Sequence, residues 1–123
     1  TGLQLFLDGS SVTITPDGTN RVWTVIVNWN SIVTAISGAT GIAAGDVMGS
    51  TDMLTIKKIG GTVTVVGTPT TNPHGDSSMS NCVMVYSGSG GNMELKVTAP
   101  TFGGGGTITL RTSATIIITE TGY

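Results

Sequence analysis

The sequence predicts an all-β fold, an antiparallel β-sandwich of jelly-roll type with about eight to ten strands. Three observations lead there. Apolar residues recur with period two along nearly the whole chain. Thr, Ser and Val dominate the remainder, and β-branched residues suit pleated strands. Turn signals built on the 19 glycines recur at intervals of roughly 8–12 residues, with almost no helical pattern between them.

The elements follow in order. Leu3, Leu5 and Leu7 alternate with Gln4 and Phe6, and Asp8-Gly9-Ser10 turns the chain. Val12 and Ile14 alternate with Ser11, Thr13 and Thr15. Pro16-Asp17-Gly18 ends that strand, because proline presets φ and glycine supplies a positive one. In 21–29, Trp23, Val25, Val27 and Trp29 share one face, and Val22 and Ile26 occupy the other. A strand apolar on both faces is central or meets a neighbouring chain. Residues 31–36 can extend it. Residues 38–49, small and glycine-spaced, are expected to form a long loop, since Gly41 and Gly45 oppose a helix over 42–47.

A strand over 53–59 turns at Gly60-Gly61 into 62–66, a hairpin. A polar loop containing Asn72-Pro73-His74-Gly75-Asp76 runs to Ser80. Residues 81–87 form a strand apolar on both faces, with Val83 and Val85 against Cys82, Met84 and Tyr86. After Gly88-Ser89-Gly90-Gly91 comes 92–99, with Met93, Leu95, Val97 and Ala99 inward and Glu94 and Lys96 outward. Gly103-Gly104-Gly105-Gly106 forms a loop. The last strand, 107–120, places Ile108, Leu110, Ala114, Ile116 and Ile118 on one face, with a bulge expected near Thr112-Ser113.

Composition narrows the function classes. The 123 residues make one domain, residues 1–123. The opening Thr1-Gly2-Leu3 suggests a fragment, C-terminal in a longer chain, and nothing there reads as a signal peptide. Only 10% of residues are charged, against about 25% in an average soluble domain. Mean hydropathy is +0.29. The longest apolar runs, such as Ile116-Ile117-Ile118, fall far short of the roughly 20 residues of a spanning helix, so membrane insertion is not expected. Net charge is −2, and the five cations are scattered, which argues against nucleic acid as a partner. The one cysteine, Cys82, can form no internal disulfide and reads as a small buried hydrophobe.

Little points to catalysis. His74, Asp76 and Ser77 lie within one loop, whereas a triad is assembled in space, and no nucleophile elbow is present. The seven carboxylates match no calcium loop, and most are explained by turns; a glycosidase-type pair would meet only in three dimensions. The four-glycine run lacks the Lys and helix of a phosphate loop. One histidine makes no zinc site in a monomer, although a three-fold axis would turn His74 into three. The expectation is therefore no enzyme, no cofactor and no metal. Four residues are candidate receptor or glycan contacts: His74 and Asp76 in the polar loop, and the aromatics Trp29 and Tyr86. Trp29 and Trp23 share a face with Val25 and Val27, so core packing competes with that role. Tyr123 is a further possible platform.

The stretches Met53-Leu54-Thr55-Ile56-Lys57-Lys58, 61–68, the His74-Gly75-Asp76 loop, 92–98 and 114–120 resemble the small β-sandwich domains of bacteriophage tail fibres, tailspikes and related virion proteins. The likeness spans roughly residues 51–120 and is one of strand texture. It implies a homotrimeric structural domain at the tip of a virion fibre or spike. Such a domain would display the loops 31–50, 67–80 and 99–106 to a host-cell-surface glycan or protein receptor. A carbohydrate-binding module attached to an enzyme and a bacterial adhesin domain are the alternatives. Low charge argues for an oligomer: a small sandwich has one inner layer to fill, so surplus apolar surface is expected between chains.

Overall fold

In the computed structural model, which describes residues 2–5 and 13–123, the chain forms two antiparallel sheets packed face to face. The strands are β1 (Gly2–Leu5), β2 (Arg21–Ser37), β3 (Val47–Ile59), β4 (Thr62–Thr70), β5 (Pro73–Gly75), β6 (Val83–Ser89), β7 (Asn92–Thr98) and β8 (Thr107–Gly122), with a single 3-10 turn, η1 (Ser77–Met79). The small sheet has the order β1-β7-β6. The large one has the order β4-β3-β2-β8, with β5 also paired to β3. The expected β-sandwich is thus present. The turn expected at Asp8-Gly9-Ser10 and the strand residue Val12 lie outside the described residues. Of the strand expected around Ile14, the structure shows one bridge, to Met93.

Period two sets the layers. Along β2, Trp23, Val25, Val27, Trp29, Ser31 and Val33 are buried, and the residues between them face outward. β3 contributes Met48, Leu54 and Ile56, and the small sheet answers with Met84, Tyr86, Met93, Leu95 and Val97. Lys58 shares the inward parity of β3. Its stem is buried, and its ammonium donates to the Pro16 carbonyl at 2.7 Å, which pins the 13–18 segment over the end of the core. Cys82 is buried as expected, and burial raises its thiol pKa above the ordinary value.

Several boundaries differ from expectation. Residues 31–36 do extend the strand, so β2 reaches Ser37. β3 starts at Val47 rather than near Met53, because its partner β2 is long enough to pair Ile32 with Val47. The loop read as 38–49 therefore ends at 46. β4 runs to Thr70 and β8 to Gly122. The irregularity expected near Thr112-Ser113 falls instead on β2, between Val33 and Ala35. Ala99 is exposed, since β7 ends at Thr98.

Asp46 closes the 38–46 loop. Its carboxylate accepts from the Ser78 hydroxyl at 2.6 Å and from the Ala43 N–H at 2.9 Å. These bonds, the Ser78 one foremost, hold the carboxyl below its ordinary value of 3.8. A depressed folded pKa contributes stability above the unfolded value, and that stability is lost as pH falls through the folded pKa. Ser78→Ala is therefore expected to shrink the loss of Tm on acidification below the ordinary carboxyl value of 3.8, relative to wild type. An unchanged acid limb would remove Asp46 from the account.

The sandwich is closed on one side and open on the other. On the closed side β4 meets β6, and the Val63 N–H donates to the Gly90 carbonyl at 2.7 Å. On the open side β1 and β8, the end strands of their sheets among the described residues, flank an apolar crevice of about 260 Å³, lined by Leu3, Leu5, Val97, Ala99, Leu110 and Thr112. Ile118 of β8, paired with the buried Val25 and so on the inner face, is 39% exposed.

Candidate functional site

The outward face of the large sheet is built in rows. Residues paired across antiparallel strands point to the same side. Asn28 pairs with Thr51 and Thr115, and Asn30 with Gly49 and Ser113. These two rows form the floor of a trough of about 470 Å³, with Asn72 and His74 also lining it. Among the described residues no Asp, Glu, Lys or Arg lines it. The Thr51 hydroxyl donates to Asn28 Oδ1 at 2.8 Å, which leaves the Asn28 amide hydrogens for another partner. The next row is apolar: Ile26 pairs with Met53 and Ile117, which are 49% and 52% exposed.

A strap formed by 72–76 makes one wall. β5 pairs with the start of β3, His74 opposite Gly49 and Pro73 opposite Ser50. Two anchors fix it. At the far end, the Asp76 carboxylate accepts from the Val47 N–H at 2.9 Å, and the Asp76 N–H donates to the Val47 carbonyl at 2.9 Å. At the near end, the Asn72 N–H donates to Ser50 Oγ at 3.1 Å. The strap lies so close to β3 that a Cβ at Gly75 would sit 2.3 Å from the Val47 carbonyl oxygen.

Behind the trough lies Asp52, 1% exposed. Its Oδ1 accepts from the Ser50 hydroxyl at 2.5 Å. Its Oδ2 accepts from the Trp29 indole N–H at 2.8 Å and the Tyr86 hydroxyl at 2.5 Å. One carboxylate thus ties β2, β3 and the small sheet together. Burial first, and the neighbouring Asp52 second, push the Tyr86 pKa upward, so Tyr86 remains a hydroxyl donor.

The four candidate contacts separate accordingly. His74 is exposed and lines the trough, with Nδ1 3.0 Å from the Asn72 carbonyl. Asp76 anchors the strap. Trp29 is among the residues that line the trough, but it is only 4% exposed and its indole N–H is committed to Asp52; Tyr86, 9% exposed, does not line it and gives its hydroxyl to Asp52. Trp23 is also interior, its indole N–H donating to Glu120. Acrylamide is accordingly expected to quench the tryptophan fluorescence weakly, at a rate several-fold below that of the denatured chain. Quenching as efficient as in the denatured chain would contradict this placement. Tyr123 is 72% exposed but stands outside the trough. Of the loops expected to carry recognition, 67–80 contributes Asn72 and His74 to the trough, 31–50 contributes Gly49 and Ser50 from β3, and no residue of 99–106 lines it.

Asn28, Asn30, Thr51 and Thr115 were not singled out by sequence reasoning. Their signal was present in the polar positions alternating with buried ones along 21–31, but which strands lie beside β2 decides whether such positions form a site. Among the described residues no group of three or more His, Cys, Asp or Glu gathers to hold a metal ion, and no helix is long and apolar enough to cross a membrane. No family model, curated protein or solved structure matches the chain.

Proposed function

We propose that the chain is a non-enzymatic host-attachment domain of a viral fibre or spike, exposed on the virion, which binds an uncharged saccharide of the host-cell surface in the trough. The trough's lining is the observation that carries this reading. Carboxamides and hydroxyls both donate and accept, as a sugar's hydroxyls require, and an uncharged lining offers an anion no advantage. The Met53–Ile26–Ile117 row beside it suits the C–H face of a pyranose ring. The floor is rigid sheet, so little ordering entropy opposes binding.

Among the described residues the trough presents no exposed Trp, Tyr or Phe ring, Trp29 being 4% exposed, so a single site is expected to bind in the millimolar range, about −4 kcal/mol. Multivalency makes such a site useful, and we take the working form to be a homotrimer, whose linked sites raise avidity without new contacts. The open side of the sandwich supports this, with an apolar crevice between β1 and β8, the end strands of their sheets among the described residues. Sedimentation equilibrium should give three times the 12.4 kDa chain mass. A clean monomer would remove the trimer.

Recognition is tested on an array of neutral and acidic oligosaccharides. Wild type is expected to bind neutral members, and Asn28→Ala or Asn30→Ala to weaken binding by about tenfold, the worth of one or two hydrogen bonds. Binding to acidic members alone, or binding untouched by both variants, would overturn the assignment. A monomer that binds neutral saccharides through the trough would instead favour a carbohydrate-binding module.

A further inference from the structure

The strap is held at its near end by a relay that begins in the core. Ser50 Oγ has two partners at once: it accepts from the Asn72 N–H at 3.1 Å and donates to Asp52 Oδ1 at 2.5 Å. A hydroxyl has one hydrogen, so the direction of each bond constrains the other. An ionised carboxylate can only accept. Asp52 therefore takes the Ser50 proton, and the Ser50 lone pairs are left for the Asn72 amide. Trp29 and Tyr86 approach the other carboxylate oxygen and hold Asp52 in place.

We propose that Asp52 is a positioning residue of the trough, which acts through Ser50 to fix Asn72 and so sets the wall that carries His74. This rests on the reading of the trough as the recognition site, but the relay has its own observable. The strap pairs with β3 over only three residues, and nothing in Pro73 can donate a ladder bond. At Asn72, between the Thr70–Met53 pairing and the short β5 ladder, the amide is held by the Ser50 hydroxyl, while the far end is doubly anchored at Asp76. Short, exposed pairings open locally, independently of global unfolding, and hydrogen exchange reads that opening.

The test is amide exchange at Asn72, followed by NMR in the intact chain. Ser50→Ala is expected to speed exchange at Asn72 by about tenfold or more while leaving the Asp76 amide within about twofold. Asp52→Asn should also speed Asn72, because asparagine's one accepting oxygen cannot hold the Ser50 hydroxyl and the Trp29–Tyr86 donors together, so Ser50 loses its fixed orientation. Ser50→Thr keeps the hydroxyl and should restore slow exchange. Val97→Ala, a core truncation in the small sheet with no bond to the strap, controls for general destabilisation and should leave Asn72 unchanged. The inference fails if Ser50→Ala leaves Asn72 slow, or if Val97→Ala speeds it equally. An array without binding, beside exchange that follows Ser50 and Asp52, would instead defeat the recognition reading and leave the relay standing.

Discussion

Asp52→Asn is expected to lower stability by about 2–4 kcal/mol, a fall in Tm of roughly 10–15 °C. Three donors converge on this buried carboxylate, from Ser50, Trp29 and Tyr86. Asparagine has one accepting oxygen. If its NH2 takes the place of Oδ2, it confronts the indole N–H and the tyrosine hydroxyl. If it takes the place of Oδ1, it confronts the Ser50 hydroxyl, whose reversal leaves a hydrogen without an acceptor. Either way a buried donor goes unsatisfied, and the bonds that remain lose their charge assistance. Tyr86→Phe removes one donor and leaves the carboxylate two, so it should cost less, about 1–2 kcal/mol. Thermal or urea denaturation measures both. An Asp52→Asn protein within about 0.5 kcal/mol of wild type would mean that the carboxylate does not join the sheets.

Gly88→Ala is expected to cost a similar amount, about 2–4 kcal/mol, by a different route. Gly88 lies in β6 where that strand passes the edge of β4. An added Cβ would stand 2.0 Å from the Val63 carbonyl oxygen and 2.7 Å from its carbon. Both are backbone atoms, so no side chain can turn aside. The strands must part, and the bond from the Val63 N–H to the Gly90 carbonyl lies directly in the way. Ser89→Ala, one residue on and exposed, should stay within about 0.5 kcal/mol of wild type. If the two variants denature alike, the close approach of the sheets on that side is wrong.

Local period was enough to reveal the longer strands, whereas Pro73–Gly75, read as part of a polar loop, pairs with β3 as β5. Trp23, Val25, Val27 and Trp29 alternate with smaller or polar neighbours, and the same alternation separates Met93, Leu95 and Val97 from Glu94 and Lys96. Turn chemistry at Gly60-Gly61 and at Gly88-Ser89-Gly90-Gly91 marked two hairpins that are present as β3–β4 and β6–β7. Strand ends were less legible, because an end depends on the neighbour's length. Val47 to Asp52 belong to β3 since β2 is there to pair with them.

The site was legible only in part. His74 was marked by its chemistry, and it does line the trough. Trp29 and Tyr86 were marked as aromatics; the parity Trp29 shares with Val25 and Val27 already favoured core packing, whereas Tyr86, on a strand apolar on both faces, was legible neither way. Asp52 was one carboxylate among seven, and no local pattern distinguishes a buried hub from a surface acid. Its parity places it inward, between Ser50 and Leu54, but the donors that make this tolerable come from strands 23 and 34 residues away. Asn28 and Asn30 become a floor only when β3 and β8 bring Thr51 and Thr115 beside them.

The most direct test of the account is chemical-shift mapping of the isotopically labelled chain with a neutral oligosaccharide that it binds on the array. The account predicts shifts concentrated at Asn28, Asn30, Thr51, Asn72, His74 and Thr115, with the backbone amides of the small sheet unmoved. Shifts centred on the small sheet, on Tyr123 or on the β1–β8 crevice, with the trough silent, would contradict it.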